Sequence, residues 1–248
     1  MKPMLRPRRN HVRPITILFA AVVLLFPLGD LVASVEEITK TVSEEDKGKI
    51  LAAAPAEAPV KPKSDRKILV FTLTKGFRHS SIPHGVVAMD ALGRKSGGFS
   101  IEHSEDPAVF AADNLKRFDA VMMLNTTGEL FTDPELQKSL QGFVTAGKGL
   151  IGIHSASDTF YSWEEYGKMM GGYFDGHPWH ETVKLKVEDP NHATCECFHG
   201  KDFDVIDEIY QYKADPYSRE RLRVLLSLDP SGTGVFKTID LWPSPFPH

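Results

Sequence analysis

Cysteine is nearly absent: the 248 residues hold two, Cys195 and Cys197. A C-x-C spacing is poor for an intrachain disulfide, and there is no second pair to complete a zinc site. Disulfides are therefore excluded as the source of stability. The body of the chain also lacks a Lys/Arg cluster, and the formal net charge is −4, so nucleic-acid binding has no electrostatic footprint. The turn TKGFRHSS lacks the G-x-G-x-x-G spacing, and no nucleotide cofactor is expected. What remains, 42% hydrophobic and 25% charged residues, describes a globular protein whose length allows one large domain or two small ones.

Charge of one sign is concentrated only at the start. Residues 1–14 carry Lys2, Arg6, Arg8, Arg9 and Arg13 and no acid, and Ile15 to Leu28 is an apolar run. Small residues follow at Ala33 and Ser34. A basic start, a short apolar core and a small-residue exit are the features of a secretory signal. Residues 1–34 are thus expected to direct export to the periplasm or beyond, with an uncleaved membrane anchor as the alternative; the run is short for spanning a bilayer. The Arg8-Arg9 pair alone hints at twin-arginine export. Residues 35–64, ending AAAPAEAPVKPK, have the composition of a disordered linker. The folded domain is expected over 65–235, followed by an atypical Pro-rich tail over 236–248.

Within that domain, Lys67–Leu73, Phe99–His103, Ala120–Leu124 and Leu150–Ile153 read as buried strands, because parallel strands appear as short continuous apolar runs. Between them lie helical patterns from Ile82 to Leu92, from Ala108 to Phe118, and from Pro134, where Leu136, Leu140, Phe143 and Val144 share one face. Strands alternating with helices predict a doubly wound α/β domain of flavodoxin type. Its strand ends would bring Arg78, His79, Asn125 and His154 to one edge of the sheet. Further strands are expected at Val183–Val187, Phe203–Tyr212 and Leu222–Leu228, and a short helix around Glu164 to Met170.

Ten histidines are present, and their placement counts for more than their number. His79, His84, His154, His177 and His180 fall in predicted loops, together with Asp158, Asp175 and Glu208. Any one of them reads as an ordinary hydrogen-bonding residue; the group marks a site. The segment Gly152-Ile153-His154-Ser155-Ala156 has the shape of a nucleophile elbow, with His154 where a nucleophile would stand. Covalent acyl transfer is disfavoured, whereas general acid/base work or metal ligation suits a histidine. The His177-Pro178-Trp179-His180 spacing is compatible with metal ligation but weak alone. Aromatic residues including Trp163 and Trp179 crowd the same loops, where they would suit the apolar face of a sugar.

Taken together, KILVFTLTKGFRHSSIPHG, FDAVMMLNTTGELF, GLIGIHSASDTFY, GGYFDGHPWH and DEIYQY resemble the ThuA-like (trehalose-utilisation) family over about Arg66 to Pro230. The resemblance implies a class I glutamine-amidotransferase-like fold without the amidotransferase cysteine, and a link to carbohydrate catabolism at the level of 3-keto-sugar derivatives. It implies recurrent roles for His79, His154, His180 and Glu208. The expected substrate is a small saccharide or keto-glycoside, processed by a hydrolase or lyase with His154, His180 and Glu208 as catalytic residues. Arg78, His79, Asn125, Asp158 and Trp179 are the expected substrate contacts. A divalent metal such as Zn or Mn is expected on His79, His154 and His180 if a metal is used. A homo-oligomer is compatible with all of this, and the alternative function is a non-catalytic saccharide-binding module. Family members usually continue past residues 226–229 into an aromatic strand and a closing Gly-His; FKTIDLWPSPFPH stands here instead, so a truncated or frame-shifted end is expected.

Overall fold

The computed structural model describes residues 35–177 and 179–229. The expected signal segment 1–34, the tail 236–248 and the side chain of Trp179 lie outside the described residues.

Four short strands form the central sheet: β1 (Lys67–Phe71), β2 (Ser100–Ser104), β3 (Ala120–Leu124) and β4 (Gly149–Ile153). They are all parallel in the order β2-β1-β3-β4. Alternate residues of β1 and β3 supply the two cores, as a period of two requires. Leu69, Phe71, Val121 and Met123 face a large aromatic core with Phe110, Phe131, Phe160 and Tyr166. Val70, Met122 and Leu124 face the other way, against Val86 and Met89.

The helices cover both faces. Helix α3 (Ile82–Ser96) lies on the second face, and α5 (Pro134–Thr145) and α6 (Glu164–Met170) on the first. Helix α5 starts where Asp133 accepts from the Glu135 N–H at 2.9 Å, with Pro134 in the first turn, and it buries Leu140 and Phe143. This is the doubly wound α/β architecture read from the alternating pattern. The helix expected over Ala108–Phe118 is instead a 3₁₀ turn at Pro107–Phe110 followed by the one-turn α4 (Ala112–Leu115). Asp106 caps the 3₁₀ turn by accepting from the Ala108 N–H at 2.8 Å, and the chain bends between the two pieces.

The linker expectation fails over its first half. Residues 35–53 form α1 (Val35–Thr39) and α2 (Glu44–Ala53), and both pack on α3. The composition taken for a linker is rich in helix formers. Ser43 caps α2 by accepting from Asp46 N–H at 3.0 Å, and Lys47–Glu44 and Lys49–Glu45 pairs line its exposed side. Val42 is buried, and Val35 and Ile38 join the core beneath α3. Between Ala54 and β1 the chain carries neither helix nor strand.

A separate antiparallel sheet follows, with β5 (Trp179–Val187) between β6 (Phe203–Ile209) and β7 (Leu226–Leu228). Val183, Val205, Ile209 and Leu228 form its small apolar cluster. Its register brings Glu208 opposite His180 and carries Glu208 and Tyr210 towards the end of β4.

Candidate functional site

At the carboxyl ends of β3 and β4 the chain turns sharply twice at the same level. Leu124 and Ile153 are register partners, and the residues after them, Asn125 and His154, both take left-handed backbone angles with φ of 51°. That conformation is uncommon for residues other than glycine and persists only where the surroundings fix it. Here the Asn125 N–H donates to Ile153 O at 3.3 Å and the Gly128 N–H to Asp158 O at 2.8 Å. From His154 the chain enters a 3₁₀ turn, His154–Ser157. Small residues on either side make this elbow possible. A Cβ on Gly152 would lie 2.2 Å from Met170 Sδ and 3.2 Å from the Ala156 Cβ.

The elbow lifts the His154 ring into the opening between the two sheets. His79, from the loop after β1, meets it there with Nε2 to Nε2 at 3.1 Å. That loop is held on both sides. The Gly76 N–H donates to Thr127 Oγ1 at 3.2 Å, Thr127 Oγ1 donates to Phe77 O at 2.8 Å, and Arg78 pairs with Glu105 at 2.7 Å. From the antiparallel sheet, Tyr210 brings its hydroxyl to 3.0 Å from His154 Nε2, and Glu208 Oε2 lies 3.7 Å from the same nitrogen.

One assignment of protons fits these contacts. Ser155 Oγ donates to His79 Nδ1 over a long 3.5 Å and His79 donates through Nε2; the single lone pair of His154 Nε2 accepts from His79 or from the Tyr210 hydroxyl, one at a time. Burial, and next the neighbouring His154, hold the His79 pKa below its ordinary value. Burial, reinforced by Glu208 and Asp158, pushes the Tyr210 hydroxyl up, so it stays a donor at neutral pH. The arrangement places His154 Nε2 at a cavity mouth between two donors, where a substrate that displaces one of them comes within hydrogen-bond reach of the ring nitrogen.

The cavity measures about 430 Å³. His154, Ser157, Glu208, Tyr210, Tyr212 and Tyr217 supply polar groups to its lining, while Gly171 and Gly172 present bare backbone. Gly171 has φ of 96°, and a Cβ on Gly172 would crowd the Tyr212 ring at 3.2 Å. Around Tyr210 stand Phe174, with ring centroids 4.5 Å away, and His177, stacked at 5.8 Å and 18°.

The expected residues divide into three groups. His79, His154 and Glu208 come together. Asp158 sits beside them, accepting from Tyr161 Oη at 2.6 Å, and is close enough to act electrostatically on His79 and Tyr210. His180 is exposed on β5 opposite Glu208, one cross-strand step from the pair, and Trp179 is opposite Ile209. Arg78 and Asn125 have other partners: Arg78 pairs with Glu105, and the buried Asn125 amide donates to Ser81 Oγ at 3.2 Å. His84 lies on α3, 3.7 Å from Asp46 of α2, and not in a site loop. Among the described residues no group of three or more His, Cys, Asp or Glu side chains is placed to hold a metal ion.

Tyr210, Ser157, Gly171 and Gly172 were not among the expected site residues. The spacing of Glu208, Tyr210 and Tyr212 was the available signal, since residues two apart on a strand share a side.

Comparison with known proteins gives a consistent picture. The model of a family described as trehalose utilisation (ThuA) matches residues 67–244. A crystal structure of a ThuA-like protein from Bacteroides uniformis superimposes with a TM-score of 0.58 at 21% identity, covering 70% of this chain and 73% of that one. None of the curated proteins matches the chain.

Proposed function

Because the chain belongs to the ThuA (trehalose-utilisation) family, we propose that it cleaves small keto-glycosides, with His154 as the base. The observation that carries this reading is the His79–His154 pair, with Nε2 atoms 3.1 Å apart and Tyr210 donating beside it, at the mouth of a cavity sized for a sugar ring. A ketone at C3 of a glycoside acidifies the C2–H bond. His154 Nε2 takes that proton, and the bonding pair becomes an enolate. As the ketone re-forms, the pair makes the C1–C2 double bond and the C1–O bond breaks, its electrons leaving on the aglycone oxygen. The proton carried by His154 passes to that oxygen, directly or through Glu208 at 3.7 Å. Addition of water to the enone then yields the free keto-sugar. No oxocarbenium ion is formed, and no enzyme nucleophile is required.

The test is incubation of the pure protein with 3-keto-trehalose. Release of glucose, lost in His154→Ala while binding is retained, supports the reading; no cleavage of 3-keto-trehalose or of phenyl 3-keto-glucoside, with or without added Zn²⁺ or Mn²⁺, refutes it. Binding without turnover in both proteins would identify a saccharide-binding module. Export through residues 1–34 belongs to the same proposal, supported by the basic start, apolar run and small-residue exit of that segment. Sequencing the N-terminus of protein recovered outside the cytoplasm should find it just after Ala33 or Ser34.

A further inference from the structure

A second cavity of about 480 Å³ adjoins the first, and the two share Glu208, Tyr210, Tyr212 and Tyr217 in their walls. Its lining differs in chemistry. Val183, Leu185, Val205, Val224, Leu226 and Leu228 form the surface, and they come from one side of the antiparallel sheet and the approach to β7. Several of the polar groups in its lining have partners within the protein. Arg219 pairs with Glu188 at 3.0 Å, Ser227 Oγ donates to the same carboxylate at 2.6 Å, and Asp207 Oδ1 accepts from the Glu208 N–H at 2.8 Å. A second sugar ring lying along the aliphatic surface would strip hydroxyls of water where only hydrocarbon faces them, which is unfavourable. An apolar ring would gain by the same burial, since its surface is removed from water without loss of a hydrogen bond.

We propose that this groove is the aglycone subsite and that the preferred substrates are glycosides of apolar, aromatic alcohols rather than disaccharides. The sugar occupies the cavity beneath His154, and the aglycone lies along the apolar groove. Glu208 and Tyr210, which line both spaces, stand beside the bond between them. Glu208 is thereby placed to protonate the departing oxygen. The inference rests on the keto-glycoside reading for its chemistry, but the apolar subsite can be measured without turnover.

Calorimetric titration of the full chain with phenyl and methyl glucosides of both anomeric forms tests it. For at least one anomer, the phenyl glucoside is expected to bind tenfold or more tightly than its methyl counterpart. Val224→Asn, outside any strand, should erase the difference and leave the methyl glucoside's affinity unchanged. Equal affinities in the wild-type protein, or no binding of either compound, would overturn the inference. Turnover of phenyl 3-keto-glucoside and 3-keto-trehalose separates the two readings. A phenyl preference in binding without cleavage of either compound defeats the proposed reaction and leaves the subsite standing. Cleavage of 3-keto-trehalose without any phenyl preference leaves the reaction standing and removes the subsite.

Discussion

His79 and His154, 75 residues apart in sequence, meet Nε2 to Nε2 at 3.1 Å. Two imidazoles in that geometry share one proton between facing nitrogens, so the pair cannot carry a full charge on each ring without repulsion. His154→Gln should therefore lower kcat by roughly 10²–10⁴-fold, the usual worth of a positioned base. Substrate affinity, measured calorimetrically, should change little. Retention of full rate would remove His154 from the chemistry.

The pH response follows from His79. Its pKa is lowered in the folded protein, chiefly by burial, so on acidification the unfolded chain takes up the proton first. The stability this group contributes is complete above its ordinary value of about 6.5 and is lost as pH falls from there through the folded pKa. The wild-type Tm should thus fall more steeply below pH 6.5 than that of His79→Gln. Identical acid limbs in the two proteins would contradict the assignment.

Tyr210 bonds His154 through its hydroxyl and packs on Phe174 and His177 through its ring. Tyr210→Phe separates the two roles. It should cost about 0.5–1.5 kcal/mol through the lost hydrogen bond and reduce kcat, with sugar binding preserved. Tyr210→Ala should weaken binding as well.

Gly167 is fixed by close approach. A Cβ there would lie 2.3 Å from Tyr173 Cε2, and Tyr173 cannot swing away, since its hydroxyl bonds Gly167 N, Phe160 O and Trp163 O. Gly167→Ala should destabilise the protein by about 1–3 kcal/mol, read from denaturant unfolding, and loosen the loop that follows Asp158.

The helices of residues 35–53 supply a test of packing. Removing them uncovers the apolar side of α3 against which Val35 and Ile38 lie. The loss of burial is worth roughly 2–4 kcal/mol, and the Tm should drop by about 5–15 °C. An unchanged Tm would restore the linker interpretation of this stretch.

The sequence by itself determined the parallel sheet and its helices. Continuous apolar runs of four or five residues have few other ways to be buried, and Asp133-Pro134 or Gly147 mark where a helix must begin or end. It also placed His154 at the end of a strand, because an apolar run that stops at a histidine is a local signal. Tertiary structure decided which side chains meet there. Arg78 and Asn125 share the sheet edge with His79 and His154, yet Glu105 and Ser81 hold them elsewhere. Tyr210 reaches His154 only because β6 pairs with β5 in a register set 30 residues away. The helices of residues 35–53 were hidden for a related reason: their composition serves a linker or a helix equally, and the apolar surface of α3 settles the choice. Periodicity records what each segment must bury, whereas the partner that covers it, or the proton it shares, is fixed by the fold.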